Sequence, residues 1–272
     1  MHRLLIAVLA ALFVTPSASF AQRDRDRDRQ TDENAFRWEG RIPDGRWISV
    51  HNLNGPITVE EGSSDQVEVR AEKRWRRGDP ADVRFETVRD GDDVVICALW
   101  TERSTCDADG LHSRGRGDDW DDDRNDVSVH FTVRLPRAVK VRASSVNGAI
   151  DITGAREEVV ARTVNGRIDA TTSSGPVDAQ TVNGAINVRM GSLSSSADME
   201  FETVNGSVRV EAPSNLAADV SMATVNGSLT SDFPLTVEGR ISKQRINAKV
   251  NGGGRRLTMK TVNGSIELRR SS

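Results

Sequence analysis

Thr163-Val164-Asn165-Gly166 returns at Thr181–Gly184, Thr203–Gly206, Thr224–Gly227 and Thr261–Gly264, with a serine variant at Ser145–Gly148. Successive asparagines stand 18, 18, 22, 21 and 37 residues apart, and the last interval leaves room for one degenerate copy. Repetition at this period signals a stack of equivalent units. Six residues before the asparagine lie Val141, Val159, Val177, Met199, Val220 and Leu257. Four before it lie Ala143, Ala161, Ala179, Phe201, Met222 and Met259. A valine directly precedes it, and Ile150, Ile168, Ile186, Val208, Leu229 or Ile266 follows three residues later. Polar residues fall between these positions, among them Arg162, Gln180 and Glu202 before the corner and Asp151, Asp169 and Asn187 after it. Alternation with a period of two marks a β-strand with one buried face.

Each unit therefore reads as strand, tight corner, strand. The corner residues are Asn147, Asn165, Asn183, Asn205, Asn226 and Asn263, each followed by Gly148, Gly166, Gly184, Gly206, Gly227 or Gly264. Glycine supplies positive φ at no steric cost, and asparagine tolerates the left-handed region. Two geometries fit. Asn-Gly closes a two-residue hairpin, or the chain coils and the asparagine amides bond from rung to rung. The coil is favoured, because residues flanking the turn are also held alike, as stacking on an identical neighbour demands. Leu53-Asn54-Gly55, with Ile48, Val50, Ile57 and Val59, matches the same template, so Asn54 and Gly55 join the set. The expected fold is all-β: a single-stranded β-helix-like solenoid over residues 139–272, with rungs of about 18–22 residues. A less regular β region over 38–138 precedes it.

The chain opens with Arg3, an 11-residue apolar run Leu4–Val14, and the small-x-small pattern Ala18-Ser19-Phe20-Ala21, so residues 1–21 read as an export signal. That run is too short to span a bilayer, and no later stretch is apolar enough, so no transmembrane segment is expected. Residues 22–37 begin QRDRDRDRQ and read as a disordered leader. Without Arg3 the net charge is −4. Residues 139–272 hold 16 basic and 13 acidic residues, which leaves −7 on residues 22–138. No basic arm results, and nucleic acid is not an expected partner. Strand-like runs continue at Gln66–Trp75, Val83–Val88, Val94–Trp100 and Val127–Leu135. The irregular loop 101–126 carries nine acids against four basic residues, a length uncommon without function or disorder. Cys97 and Cys106 are the only cysteines, with eight residues between them; in an exported chain a disulfide pinning the base of that loop is expected.

The search for chemistry is mostly negative. His51 and His130 fall on outward strand positions and His112 lies in the loop, so no Ser-His-Asp or Cys-His arrangement forms. Gly252-Gly253-Gly254 is not followed by the residues a phosphate loop needs. The run Asp118–Asp126 lacks the spacing and the glycine of a calcium loop and reads as a solvated charged loop. No metal, cofactor or catalytic residue is expected. Asp151 and Asp169 would stand on adjacent rungs about 4.8 Å apart, near the separation of a retaining glycosidase pair. Yet all five tryptophans lie at or before Trp120 and there is no tyrosine, so the repeats offer no ring to stack a sugar.

The opening unit Leu53–Val59, the strand ending Leu135-Pro136, the Ser/Thr-Val-Asn-Gly-x-Ile rungs and the closing stretch Leu257–Leu268 together resemble the bacterial adhesin-domain family of β-strand repeats. That family is a domain of unknown function, and the likeness runs from about residue 38 onward, departing at the acidic loop. The resemblance implies an exported β-solenoid, periplasmic or at the cell surface, without catalytic residues. The expected role is adhesin-like binding of an envelope polymer or protein through the strand faces. The alternatives are a polysaccharide-active enzyme on a β-helix and a periplasmic scaffold or envelope-stress protein without ligand. Substituting Asp151 and Asp169 by asparagine separates the enzyme from the binder.

Overall fold

The computed structural model describes residues 34–113, 126–193, 195–237 and 242–271. The export signal, residues 22–33 of the leader and residues 118–125 of the acidic run lie outside the described residues. The N-terminal strands are β1 (Ala35–Gly40), β2 (Trp47–His51), β3 (Ile57–Glu61), β4 (Val67–Arg74), β5 (Arg84–Asp90), β6 (Asp93–Leu99), β7 (Ser104–Asp107), β8 (Gly110–Ser113) and β9 (Ser128–Leu135). The repeats supply β10 (Lys140–Ser144), β11 (Ile150–Ala155), β12 (Val159–Arg162), β13 (Ile168–Thr172), β14 (Val177–Gln180), β15 (Ile186–Met190), β16 (Met199–Glu202), β17 (Val208–Ala212), β18 (Ala218–Ala223) and β19 (Leu229–Ser231). The chain closes with β20 (Thr236–Val237), β21 (Arg245–Val250), β22 (Arg255–Lys260) and β23 (Ile266–Arg270). No α-helix occurs among the described residues.

Every rung sends its strand before the corner to one sheet and its strand after the corner to another. The first sheet runs β20-β21-β18-β22-β16-β14-β12-β10-β2-β6-β5, and the second β1-β4-β9-β3-β11-β13-β15-β17-β23-β19. The rungs stack parallel with like on like. Val141 pairs with Val159 and Val159 with Val177, while Ile150, Ile168, Ile186, Val208 and Ile266 form one column of the other sheet. Fully burying one such isoleucine stabilises by about 1.5–3 kcal/mol. A single core runs from Phe36 to Leu268 and joins the N-terminal strands to the repeats. Antiparallel strands extend three of the four sheet ends, β4 and β1 beyond β9, β5 on β6, and β21 with β20 on β18, while the parallel strand β19 ends the second sheet. The antiparallel strands cover unpaired backbone that would otherwise template aggregation.

Three expectations are corrected. The leader ends earlier than residue 37, because Ala35–Gly40 pairs with β4 and buries Phe36 and Trp38; Phe36 also stacks on Phe85 at 4.8 Å. Part of the acidic loop is regular: residues 104–113 form the β7–β8 hairpin. The 37-residue interval holds no extra rung of the Asn-Gly kind. Its residues build the antiparallel strand β21, and the chain then returns so that β22 lies between β16 and β18, and β23 between β17 and β19. The last rung in sequence is therefore an interior rung in space.

Candidate functional site: the Asn-Gly corner

The corners of seven rungs line up along one edge, in the order Asn54, Asn147, Asn165, Asn183, Asn205, Asn263 and Asn226. Each residue of Thr-Val-Asn-Gly makes its own column there. The threonine is buried, and its hydroxyl donates to the glycine carbonyl of the rung below. Thr163 bonds Gly148 at 2.9 Å, Thr181 bonds Gly166 at 3.0 Å, Thr203 bonds Gly184 at 2.9 Å and Thr261 bonds Gly206 at 2.8 Å. Ser145 does the same to Gly55, and Thr224 to Gly264. A buried carbonyl left without a partner costs about 1–3 kcal/mol, which is why a hydroxyl recurs here.

The glycines are required by contact, which corrects the expectation of positive φ. Of the seven corner glycines only Gly55 has positive φ, at 118°, and none of the corner asparagines does. A Cβ on Gly166 would sit 2.1 Å from the Gly148 oxygen, one on Gly184 2.0 Å from that of Gly166, and one on Gly206 1.9 Å from that of Gly184. The corner backbones pass so closely that no side chain fits between them.

The asparagine amides form a ladder at the surface. Asn165 Nδ2 donates to Asn147 Oδ1, Asn183 to Asn165, Asn205 to Asn183, Asn263 to Asn205 and Asn226 to Asn263, each at 2.8 Å. All five bonds are solvent-exposed, so each contributes less than a buried one. Asn54 stands outside this chain of bonds and donates to the Val127 carbonyl at 2.9 Å. The valines face outward. Val164, Val182 and Val262 are 39% exposed, Val204 38% and Val225 61%. Together with Trp75 they are the only exposed large hydrophobic residues among those described.

A family model matches residues 121–269, more than half of the chain, and its description is Toastrack DUF4097. The chain belongs to the Toastrack family. The Toastrack span holds six of the seven corners, and the Asn54 rung, which precedes it, stacks on Asn147 through β3 and β11. A solved structure of a protein provisionally named a cell adhesion protein, from Clostridium sporogenes ATCC 15579, is similar at 10% identity with a TM-score of 0.40. The alignment covers 87% of this chain and all of the other. A second, provisionally named an adhesin, from Bacteroides fragilis NCTC 9343, is similar at 9% identity with a TM-score of 0.31, covering 88% and 98%. No curated protein matches the chain.

Most of the remaining described candidates of this Toastrack chain are engaged by neighbours. Asp151 and Asp169 do face out from adjacent rungs, and Arg167 bonds both carboxylates, reaching Asp151 at 2.7 Å. Asn187 donates to Asp169 at 2.7 Å. The same outer face holds further pairs, Arg189 with Glu211 and Arg209 with Glu267. Hydrogen bonding to Arg189 holds the Glu211 carboxyl below the usual range. Cys97 and Cys106 are bridged, and the bridge clamps the β7–β8 hairpin onto the outer face of β6, where Val95, Leu99, Val88 and Leu111 pack with it. His51, expected to face solvent, lies under that hairpin. A Cβ on Gly110 would stand 2.4 Å from its ring. Burial, helped by the charge of Arg142, lowers the His51 pKa to about 4. His112 bonds Asp107 at 2.9 Å.

Asp126 is the described end of the acidic run. One of its oxygens accepts from the backbone N–H groups of Arg76, Arg77 and Gly78 at 3.0–3.1 Å. These bonds, led by that from Gly78, pull its pKa down to about 2. Its role is to close the turn after β4. Among the described residues no cluster of metal-ligating side chains forms. Sequence reasoning grouped the corner valines with the inward positions and missed the buried threonines. The signal was there in the threonine's recurrence, since an exposed turn position has no need to repeat a hydroxyl.

Proposed function

We propose that the protein is a non-catalytic, exported envelope or cell-surface protein of adhesin type that binds a polymer or protein partner. One observation carries this reading: the outward-facing valine and asparagine of the corner repeat in register over successive rungs, so that edge presents the same chemistry at every strand spacing. A repeating surface suits a repeating or extended partner, and binding through several equivalent contacts multiplies affinity. The Cys97–Cys106 bridge supports export, because oxidising compartments keep such bonds. The salt-bridged strand faces and the corner edge are the surfaces on offer.

The test is localisation followed by co-sedimentation. Protease added to intact cells is expected to digest the protein, and the purified protein is expected to sediment with isolated envelopes. Protection until the outer membrane is opened overturns the adhesin reading and favours a periplasmic role. Turnover of an envelope polysaccharide that Asp151→Asn and Asp169→Asn abolish overturns the non-catalytic one.

A further inference from the structure

We infer that the corner edge is a track for a linear, neutral β-linked polysaccharide, one sugar ring to each rung. The inference rests on the binding role proposed above and assigns that role to a site and a class of ligand. The exposed large hydrophobic residues are gathered on one edge. Five are corner valines; the sixth, Trp75, follows β4, whose Arg74 pairs with Ser128 two strands from the Asn54 rung. Apolar residues scattered singly need no explanation, whereas these five are contiguous from rung to rung.

The shape of the stripe selects the occupant. The five exposed corner valines lie on successive rungs and span four strand spacings, about 19 Å, and the stripe is one side chain wide, roughly 10 Å, so it offers only ~190 Å². A stable complex with a folded protein or a second copy buries about 800 Å² on each partner. The edge is too narrow for either and long enough for an extended chain. A peptide strand is a poor match, because it advances about 3.3 Å per residue against rungs spaced about 4.8 Å. Strand addition also needs free backbone donors, and those of Asn165, Gly166, Asn183 and Gly184 are already spent between rungs. An equatorially linked pyranose ring advances its chain by close to one strand spacing.

The chemistry of each rung fits such a ring. An amide has two N–H groups and an oxygen with two lone pairs. In the ladder one N–H of Asn183 goes to Asn165, and its oxygen accepts one bond from Asn205. One donor and one acceptor per rung remain for sugar hydroxyls, which are themselves both. The valine methyls beside them meet the C–H face of the ring. The charges flanking the edge are largely paired, Arg167 with Asp151 and Asp169 and Lys260 with Glu200 and Glu202, which favours a neutral chain over a polyanion. At the far end, Val204, Val262 and Val225 floor a groove of about 510 Å³ walled by Gln244 and Arg245, wide enough for a chain end.

The experiment is calorimetric titration of the full exported chain with soluble β-1,4-linked glucose and N-acetylglucosamine oligomers of increasing length. Affinity is expected to rise with ring number and level off as the oligomer covers the five rungs that carry exposed valines. Val182→Lys with Val204→Lys is expected to weaken binding about tenfold or more, a measurable shift in Kd, with the melting temperature unchanged. Should the lysine pair melt early, Val182→Thr with Val204→Thr keeps the shape and reads the same loss. Arg189→Ala, on the strand face, is expected to bind as the wild type does. Valine variants that bind normally, affinity independent of length, or no binding to either series overturns the inference. If envelopes still sediment the wild-type protein in that case, the binding role survives and only the site and ligand class fall; if they do not, both fall.

Discussion

Gly184→Ala is the sharpest test of why the corners are built as they are. Alanine at a glycine with ordinary φ normally stabilises a protein, by about 0.4–1 kcal/mol, by restricting the unfolded chain. Gly184 has ordinary φ, so an argument from backbone conformation alone expects a neutral or favourable change. The structure expects the opposite. The new Cβ would stand 2.0 Å from the Gly166 oxygen and 2.5 Å from its carbon. Non-bonded contacts of this kind settle at about 3.5 Å, so the rungs must part by more than 1 Å where they meet. Parting them stretches the Thr181 hydroxyl bond to Gly166 at 3.0 Å and the Gly166 N–H bond to Asn183 at 3.1 Å. Two hydrogen bonds at about 1 kcal/mol each, one leaving a buried hydroxyl short of its acceptor, plus overpacking of 1–3 kcal/mol, give a loss of about 3–5 kcal/mol. A domain holds about 5–15 kcal/mol in total, so the variant remains folded but melts early. The assay is urea unfolding followed by circular dichroism. Because stacked units interact only with neighbours, the weakened interface is also expected to broaden or split the transition. A cost below about 1 kcal/mol, or a gain, refutes the contact argument and returns the glycine to a purely conformational role.

Other predictions follow from the same columns. Thr181→Val removes a buried donor and is expected to cost about 1–2 kcal/mol, whereas Asn183→Ala removes two exposed bonds and is expected to cost about 0.5–1 kcal/mol; urea midpoints in the reverse order contradict the assignment of burial. His51 is held neutral in the fold, so the unfolded chain takes up its proton first. Stability is expected to be full above pH 6.5 and to fall by up to about 3 kcal/mol toward pH 4, as Arg142 and His112 oppose the new charge and Asp107 partly offsets it. His51→Gln is expected to flatten that part of the curve of Tm against pH. Cys97→Ser with Cys106→Ser opens a loop of about ten residues and is expected to cost the hairpin about 2–3 kcal/mol. Hydrogen exchange is then expected to quicken at residues 104–113 and to leave Ile168 and Ile186 unchanged.

The strands and the stacking were legible because one buried face writes a period of two, and Val141, Val159 and Val177 keep it in phase. The corner was only half legible. At a corner the backbone changes direction, so alternation loses its phase, and Thr163 turns inward while Val164 turns out. The ladder of amides could be anticipated because identical residues at identical positions stack on one another. The order of the rungs could not, since every Thr-Val-Asn-Gly unit offers the same mating surface and nothing in Thr261–Gly264 says which two neighbours it joins. The β7–β8 hairpin was hidden by its short strands in a polar stretch, and with it the cover over His51.

That displaced rung makes the stack depend on a segment far along the chain from its neighbours. A chain made N-terminus first presents β16, β17, β18 and β19 well before β22 and β23 arrive to sit between them. Stacking in order of emergence would put β18 on β16 and leave the final rung without a seat. The gap must be kept, or reopened, until the last residues are delivered. A polypeptide interrupted short of Ile266 leaves β17 and β19 without the strand that pairs with both, and so exposes facing strand edges of the kind that template aggregation.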